Sequence, residues 1–340
     1  MNKEIVSDIL NSQGIDRFGF AELTRPMTMD FYLNWIEESQ HGEMEYLRAH
    51  SERKANPTIL LPKAKSAIAI AFQYLPHPEP TSETHFKAAR TAFYSRGKDY
   101  HHWVTLKLSE ICTELKTKFE GEEFIGFVDS GPVLERDLAR RAGLGWVGKN
   151  TCLIHPKVGS FFFLSEIYTS LDLKSEQKIQ PDHCGTCTRC IEICPTGALS
   201  ERSLDARKCI SYLTIESKSV APLDLRSKIG DWLFGCDLCQ TVCPWNLKFF
   251  KNEIAFENKE KSREDLVCDL KFIFSSSNKQ LTKAFRDSSL SRASGNKLKR
   301  NALIVVGNKK LIELKELVIS YQTNAYFSEL CEWTLKQLDA

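Results

Sequence analysis

The sequence predicts an α+β protein of several domains, and three observations support that fold class. Short apolar runs, which are typical of buried strands, are mixed with segments of helical apolar spacing in the first half of the chain. Eight of the twelve cysteines lie between positions 184 and 243, and helical spacing returns towards the C-terminus. These observations predict an α/β domain over 1–175, a cysteine-rich module over 176–250 and a small helical tail over 251–340.

The spacing of apolar residues predicts the elements in chain order. Helices are predicted at 4–10, 29–38, 103–118 and 133–142, and strands at 64–72, 124–128 and within the apolar run 159–167. Pro76, Pro78 and Pro80 predict an extended loop, because each ring fixes φ and removes an amide donor. In the tail, 298–306 and 311–318 are predicted as amphipathic helices, enough for one or two helix-pair units.

Composition and charge are those of a globular chain. Hydrophobic residues make up 42% and charged residues 26%, which excludes a largely disordered protein. The net charge is only 46 − 44 = +2, so any basic surface must be local. No apolar run reaches the roughly 18–20 residues that cross a bilayer, and the N-terminus has no hydrophobic signal segment. We therefore expect a cytoplasmic protein without a membrane partner.

The cysteine run that begins at Cys184 has a specific spacing. Its sequence, CGTCTRCIEICP, follows C-x2-C-x2-C-x3-C-P, in which three thiolates hold one 4Fe–4S cube and the fourth reaches a second cube. A second group of cysteines, 236–243, supplies the complementary ligands. Exchange of the fourth ligand assigns one cluster to Cys184, Cys187, Cys190 and Cys243, and the other to Cys194, Cys236, Cys239 and the intervening Cys209.

Two zinc sites are the alternative, since four-cysteine zinc sites also use C-x2-C pairs. Three cysteines at this spacing followed by Cys-Pro are rare in zinc sites, so the spacing favours two cubes. Bound metal would also stabilise a module that has room for only a small hydrophobic core. The remaining cysteines are predicted to pack as small apolar side chains: Cys112, Cys152, Cys268 and Cys331.

Several motifs, in order, resemble the epoxyqueuosine reductase family: DSGPVLER from Asp129, GLGWVGKNT from Gly143, PTGAL from Pro195, CISYLTIE from Cys209, FGC with CPWN over 234–246, and KRNAL from Lys299. The resemblance implies a cobalamin- and iron–sulfur-dependent oxidoreductase that reduces epoxyqueuosine at the wobble position of tRNA to queuosine. It implies a reductive-dehalogenase-like cobalamin-binding domain, a bacterial ferredoxin-like module and a HEAT-like tail. The expected partners of this monomer are the anticodon stem-loop and an external low-potential electron donor.

Asp129 is the predicted proton donor for that reaction. It lies between a predicted strand and a Ser-Gly-Pro turn, where side chains often point into a site, and it aligns with the family's catalytic aspartate. Capping of the next helix is the alternative. A general acid that works near neutral pH needs a raised pKa, which nearby apolar surface would supply. Further predicted cobalamin contacts, besides Asp129 itself, are Arg53, Tyr94, Asp99, Lys149, Asn150, Thr151, His155 and Ser211.

The string DYHHWV from Asp99 bears on how cobalamin would bind. Cobalamin enzymes that replace the lower ligand with a histidine use D-x-H-x-x-G, and this string lacks the glycine. We therefore expect cobalamin to bind without a histidine on its lower face.

A local basic cluster lies near the C-terminus. Between positions 290 and 312 there is no acidic residue, and six cations occur: Arg292, Lys297, Lys299, Arg300, Lys309 and Lys310. Such a cluster would bind phosphate and make binding dependent on salt, whereas a merely solvated helix face is the alternative. We expect Lys297, Lys299 and Arg300 to contact tRNA.

Two other functions compete with the reductase. A related corrinoid reductase would act on another epoxide, a halide or another small molecule, and an electron-transfer protein would only relay electrons through its two cubes. The basic tail argues against the first alternative. The size of the first domain argues against the second, because a relay has no use for it.

Overall fold

The computed structural model describes residues 1–75, 86–173, 178–257 and 259–340. The strands are β1 (Phe18–Glu22), β2 (Ser66–Gln73), β3 (Arg90–Thr91), β4 (Phe124–Phe127), β5 (Trp146–Val147), β6 (Leu153–Ile154), β7 (Phe162–Thr169), β8 (Leu199–Ser200), β9 (Ser203–Leu204) and β10 (Trp232–Phe234). The helices are α1 (Asn2–Ser12), α2 (Met29–Glu37), α3 (Glu45–Ala49), α4 (Ser51–Ala55), α5 (Tyr100–Lys118), α6 (Glu135–Arg141), α7 (Arg189–Glu192), α8 (Ile210–Ile215), α9 (Leu223–Arg226), α10 (Leu238–Thr241), α11 (Pro244–Glu257), α12 (Arg263–Ser275), α13 (Asn278–Ala284), α14 (Gly295–Asn308), α15 (Lys315–Tyr321) and α16 (Ser328–Asp339).

A four-stranded sheet in the order β1-β2-β7-β4 organises the first half of the chain, and every pairing in it is antiparallel. Strand β2 is buried on both faces, so it reads as a continuous apolar run. Ile68 and Ile70 pack on one face with α1 and α5, whereas Ala67 and Ala69 pack on the other face with α6. The predicted strands are confirmed. The predicted proline loop at 76–80 lies outside the described residues.

Two helices flank the loop that carries Asp129. Helix α5 begins after Asp99, whose carboxylate accepts a hydrogen bond from the His101 amide at 3.2 Å and so caps the helix. Helix α6 begins at Glu135, with Leu134 as its N-cap residue. Asp129 therefore does not cap α6, and that alternative is wrong. The loop over 128–134 places Asp129 at one end of the sheet, directly after β4.

The cysteine-rich module consists of short elements around a small core. Cys190 lies in α7, Cys239 in α10, and Cys209 directly before α8. A compact apolar group formed by Trp146, Ile154 and Cys243, with Trp245 packed against it, joins this module to the β5–β6 hairpin. This small core agrees with the expectation that bound metal contributes to folding.

Helix α14 is central to the C-terminal helices. It contacts α12, α13 and α16, and its apolar side chains share one core with residues of 206–234. The predicted helix at 298–306 is confirmed within α14, and the segment predicted at 311–318 contains a short 3₁₀ turn before α15. No helix among the described residues has the length and apolarity needed to cross a membrane. The domain boundaries at 175 and 250 stay predictions.

Three of the four remaining cysteines behave as predicted. Cys112 and Cys331 are buried in apolar cores, and Cys152 is half-buried. Cys268 is exposed on α12, so the prediction that it packs is wrong. The core of that helix is formed by Leu266, Leu270 and Ile273, which leaves Cys268 on its other side.

Candidate active site and cluster sites

A cavity of about 270 Å³ lies where the sheet meets the cysteine-rich module. Residues from the sheet, from the loop before α6 and from α10 line it together: Tyr74, Tyr94, Tyr100, Asp129, Glu135, Arg136, Cys152, Leu153, Ser160, Phe162, Phe163, Leu164 and Gln240. Gln240 directly follows Cys239, one of the predicted cluster ligands. The cavity therefore joins Asp129 to the segment that carries the clustered thiols.

Two neighbours on the first turn of α5 fix the Asp129 carboxylate. The Tyr100 hydroxyl donates a hydrogen bond to Oδ2, and His101 Nε2 lies 2.8 Å from Oδ1. The Asp129 side chain is still 39% exposed, so it faces the cavity rather than the core. This arrangement aims one acidic group at whatever occupies the cavity.

Asp99 holds His101 from behind. Its Oδ1 lies 2.6 Å from His101 Nδ1, and Arg292 Nε lies 3.8 Å from its Oδ2. Asp99 is buried and does not line the cavity. The structure therefore gives Asp99 a positioning role, in a chain of contacts that runs from Arg292 through Asp99 and His101 to Asp129.

The pKa of Asp129 is lowered from its ordinary value. Burial of the carboxyl acts to raise it, but the hydrogen bonds from His101 and Tyr100 and the positive charges of His101 and Arg292 favour the ionised form and prevail. The raised pKa expected from the sequence is therefore wrong for this carboxyl. Asp129 is therefore ionised near neutral pH, so it must receive a proton before it can donate one.

Aromatic rings form the walls of the cavity. Tyr100 stacks on Phe163 with ring centroids 3.8 Å apart and planes 10° from parallel, and Tyr74 lies 4.7 Å from the same ring. Tyr94, predicted as a cofactor contact, lines the cavity too. Burial raises the pKa of Tyr94 and Tyr100, so both phenols stay neutral. Flat apolar walls of this kind suit a planar ring system.

Four of the clustered thiols surround a second cavity of about 120 Å³, which is lined by Cys184, Cys187, Cys190 and Cys243. Burial raises the pKa of Cys190, and the charges of the other three thiols raise it further. This set is the one that the ligand exchange in the sequence assigned to the first cluster.

The other four thiols form a separate group. Burial raises the pKa of Cys236, and the charges of Cys209 and Cys194 add to that effect. Burial raises the pKa of Cys239 well above its ordinary value, and the charges of Cys152, Cys236 and Cys209 add to that effect. Cys209 therefore lies among the thiols of the second predicted set. Among the described residues, no three His, Cys, Asp or Glu side chains are arranged to hold a single metal ion.

The other predicted cofactor contacts fall in different places. Lys149 and Asn150 line the cavity of the first thiol set, and Asn150 Nδ2 donates to the Cys239 carbonyl at 3.2 Å. Thr151 has a left-handed φ of 66°, and its carbonyl accepts a hydrogen bond from Arg136 at 2.6 Å. Ser211 lies beside Cys209 and donates its backbone N–H to that thiol.

His155 and Arg53 do not line the Asp129 cavity. His155 Nδ1 accepts a hydrogen bond from the Lys157 amide at 3.1 Å, and burial lowers the pKa of His155 to about 4, so the ring is neutral. Arg53 is exposed on α4. As cofactor contacts, Arg53 and His155 are not brought to this cavity by the structure.

The structure contradicts the predicted tRNA contacts at Lys299 and Arg300, which are buried, and leaves Lys297 half-buried. Arg300 is completely buried and donates hydrogen bonds to the carbonyls of Leu213, Ser217 and Ser219 at 2.6–2.8 Å. Lys297 Nζ donates to the Ile215 carbonyl at 2.7 Å, and the Lys299 ammonium lies 5.5 Å from the Tyr321 ring centroid. These cations satisfy backbone carbonyls or pack within the chain, which the local charge count alone could not reveal.

We expect Arg300→Met to lower the free energy of unfolding by about 3 kcal/mol, because it leaves several buried carbonyls without a donor. Urea denaturation measures the effect, with Lys309→Met at the exposed end of α14 as the control. Unchanged stability together with weaker binding of tRNA would instead restore the phosphate-binding role of Arg300.

Sequence reasoning missed several residues of the site. Tyr100 and His101 follow Asp99 directly, so recognising Asp99 as a helix cap would have placed both on the first turn of α5. Glu135 and Arg136 belong to the DSGPVLER motif, but the sequence predicted no role for them. Phe163 and Gln240 gave no signal, because only the tertiary fold brings them to Asp129.

Comparison with known proteins agrees with this architecture. Residues 54–130 match the family described as "Epoxyqueuosine reductase QueG, DUF1730", and residues 183–246 match a "4Fe-4S double cluster binding domain". The epoxyqueuosine reductase of Francisella cf. novicida (strain Fx1) is 37% identical over 90% of this chain and 88% of its own length.

Two solved structures are also similar over 99% of this chain and 90% of theirs. One is an epoxyqueuosine reductase bound to an epoxyqueuosine-modified tRNA-Tyr stem-loop, with a TM-score of 0.80 and 28% identity. The other is the Bacillus subtilis epoxyqueuosine reductase, described with its catalytic aspartate loop swung out of the active site, with a TM-score of 0.79 and 28% identity.

The fold, the iron–sulfur binding domain and these relatives define an iron–sulfur oxidoreductase. The chain belongs to the epoxyqueuosine reductase family. The resemblance given by the motifs is thereby confirmed, and the alternative of a protein that only relays electrons is wrong.

Proposed function

We propose that this protein reduces the epoxide of epoxyqueuosine in the anticodon loop of tRNA to the alkene of queuosine. The reaction consumes two electrons and two protons and releases the epoxide oxygen as water. The observation that carries the proposal is the Asp129 carboxylate, which is fixed by Tyr100 and His101 and exposed in a cavity next to the clustered thiols. The similar structure with a modified tRNA stem-loop supports tRNA as the substrate.

Asp129 would protonate the oxygen as the epoxide opens. His101 and Tyr100 fix both carboxylate oxygens, so the group needs little reorganisation during the transfer. The Bacillus subtilis enzyme is described with a catalytic loop that carries an aspartate, which supports a catalytic role for the loop over 128–134 and its Asp129. A proton on Asp129 would then lie next to the epoxide oxygen, which leaves as water.

The residues that line this cavity support cobalamin as the cofactor that binds against them. The stacked pair Tyr100 and Phe163 offers a flat apolar wall, while Ser160 and Gln240 supply polar groups at the rim. Both nitrogens of His101 are engaged by Asp99 and Asp129, which agrees with cobalamin bound without a histidine ligand. Bound there, cobalamin would supply the reducing centre for opening the epoxide. We propose Tyr94, Tyr100 and Phe163 as its wall and Asp129 as the acid beside it.

Two 4Fe–4S clusters would deliver the electrons. We propose that the first is held by Cys184, Cys187, Cys190 and Cys243, and the second by Cys194, Cys209, Cys236 and Cys239. The cavity around the first set and the mutual electrostatic effects of the second set support this assignment. Gln240 lies between Cys239 and Cys243 in the sequence and lines the Asp129 cavity, which supports delivery of electrons from the clusters to this cavity.

The proposed domains keep the predicted boundaries. Residues 1–175 would hold cobalamin and the modified nucleotide, 176–250 the clusters, and 251–340 part of the tRNA contact. We propose that the protein acts as a monomer and receives electrons from an external low-potential donor.

Arg292 replaces Lys297, Lys299 and Arg300 of α14 as the proposed phosphate contact. Its side chain is 46% exposed, and it lies beside Asp99, behind the active-site carboxylate. We expect Arg292→Gln to weaken binding of the stem-loop and to reduce the salt dependence by about one phosphate equivalent. Binding measured across a salt series checks this. The control is Lys118→Gln, an exposed lysine about 27 Å along α5 from Tyr100. Identical salt slopes for both variants would exclude Arg292 from the contact.

A comparison of two substrates tests the proposed function against a small-molecule corrinoid reductase. We expect kcat/KM to be at least about 100-fold higher for the modified stem-loop than for free epoxyqueuosine nucleoside, since remote binding energy orients the reacting bond. Equal values for the two substrates would favour the small-molecule reductase.

A further inference from the structure

Two glutamates near Asp129, the buried Glu166 and the half-buried Glu135, have no role in the function proposed above. Glu166 is completely buried on the central strand β7, and neither of its carboxyl oxygens has a hydrogen-bond partner among the described residues. Oε1 of Glu135, the first residue of α6, is also buried without a partner there. A buried carboxyl without partners costs several kcal/mol if it is ionised, so such a pair is rarely retained without a use.

The fold aligns these glutamates with the active site. Side chains alternate along a strand, so Glu166 lies on the same face of β7 as Phe162 and Leu164, and both of these line the Asp129 cavity. Glu166 pairs in register with Phe127 of β4, two residues before Asp129. Glu135 lines the same cavity as Asp129. The three carboxyl groups therefore lie at one end of the sheet, with Glu166 deepest.

The cations nearby do not neutralise the pair. Lys54 is buried next to both glutamates, but its ammonium donates to the Val133 carbonyl at 2.9 Å, and burial lowers its pKa. Arg136 is exposed, and it donates to the Thr151 carbonyl. The remaining titratable neighbours, Tyr100 and Tyr168, have raised pKa values and stay neutral.

The three carboxyl groups differ in their protonation states. Burial, helped by the negative charge of Asp129, raises the pKa of Glu135 to about 8, and burial raises that of Glu166 well above its ordinary value. Both glutamates therefore hold a proton at neutral pH, while Asp129, with its lowered pKa, does not. Asp129 therefore lacks a proton, whereas Glu135 on the wall of the same cavity and Glu166 behind it each hold one.

We propose that Glu166 and Glu135 form a proton relay that passes protons through Asp129 to the substrate oxygen as the opening epoxide takes them up. This inference rests on the proposed function, in which one epoxide takes up two protons. As Asp129 gains a proton, the O–H bond of Glu135 breaks, and Glu166 then returns a proton to Glu135. Between turnovers, solvent in the cavity reprotonates Glu135, and Glu135 passes a proton back to the buried Glu166, while the external donor supplies the two electrons.

Isosteric variants test the relay. We expect Glu135→Gln and Glu166→Gln to bind the stem-loop normally but to slow multiple turnover at pH 7 by at least about 10-fold, because the amide cannot pass a proton on. Glu135→Asp should recover part of the lost rate. Wild-type turnover should fall as pH rises through about 8, where Glu135 loses its proton, whereas the Glu135→Gln variant should lack this limb. The control is Glu120→Gln, at an exposed position after α5.

Two measurements do not depend on turnover. The infrared spectrum of the wild-type protein at pH 7 should show the carbonyl stretch of a protonated carboxylic acid, shifted in D2O and reduced in Glu166→Gln. A raised pKa destabilises the folded state as pH rises above the ordinary value of 4.5. The Tm of Glu166→Gln should therefore exceed that of the wild type at pH 8, and this difference should vanish near pH 4.5.

Wild-type turnover rates and pH profiles in both Gln variants would overturn the relay, and so would an infrared spectrum without the protonated band. A wild-type protein that shows the band but converts no epoxide would overturn the proposed function instead. The two failures are therefore distinguishable.

Discussion

We expect Asp129→Asn to lose at least about 100-fold in turnover of epoxyqueuosine-containing tRNA, because general acid catalysis contributes about 10²–10⁴ to such rates. The amide keeps the size of the side chain and can still accept a hydrogen bond from Tyr100, but it cannot donate an acidic proton to the oxygen. Since the carboxylate already faces the cavity, the loss should appear in the chemical step rather than in binding.

Single-turnover kinetics with reduced protein measures this loss, and iron content and stem-loop affinity should stay at wild-type values. The matched control is Asp8→Asn, the same change at an exposed position of α1, which should react at the wild-type rate. Wild-type kinetics for Asp129→Asn would remove Asp129 from the acid role. Iron loss or weaker binding in the variant would show that its effect is structural.

We expect Cys209→Ser to lose one of the two clusters, so that iron falls from about eight to about four atoms per chain. The serine oxygen is a poorer ligand for iron than a thiolate, and Cys209 lies among the thiols of the second set only. Turnover should fall close to zero, because half of the electron path to the cavity is missing.

Iron and sulfide analysis of anaerobically purified protein, with electron paramagnetic resonance of the reduced state, measures this loss. Cys268→Ser is the control, because its exposed thiol belongs to neither set, and it should keep all its iron. An iron count that stays near eight in Cys209→Ser would mean that another group is the fourth ligand. Zinc in place of iron in the wild-type protein would restore the zinc alternative.

The grouping of the clustered thiols was predictable because its information is local. Spacing alone groups Cys184, Cys187 and Cys190 in one loop, and the structure brings them to one cavity with Cys243. The ligand exchange that added Cys243 came from the known bacterial pattern, and the electrostatic neighbours of Cys209 agree with its assignment. The strands were also predictable from local sequence, because a strand that is buried on both faces, such as β2, consists of a continuous apolar run.

The active-site details were not predictable, because they depend on tertiary distances. The lowered pKa of Asp129 arises from His101 and Tyr100, which are far from it in sequence. The positive charge of Arg300 suggested a nucleic-acid contact, yet its buried guanidinium donates hydrogen bonds to three carbonyls of residues 213–219. A count of charges along the chain cannot distinguish a surface cation from one that completes a buried hydrogen-bond network. The burial of the Glu166 oxygens likewise could not be predicted, because the sequence of β7 does not show that both faces of this strand are covered in the fold.

Mass spectrometry of the modified nucleoside tests most directly whether the Asp129 cavity next to the clustered thiols is an epoxide-reducing site. Reduced protein loaded with cobalamin is incubated with epoxyqueuosine-containing tRNA, which is then digested to nucleosides. We predict a product that has lost one oxygen atom, formed by the wild type and not by Asp129→Asn. Unchanged epoxyqueuosine after incubation with wild-type protein that holds both clusters and cobalamin would contradict the proposed reaction.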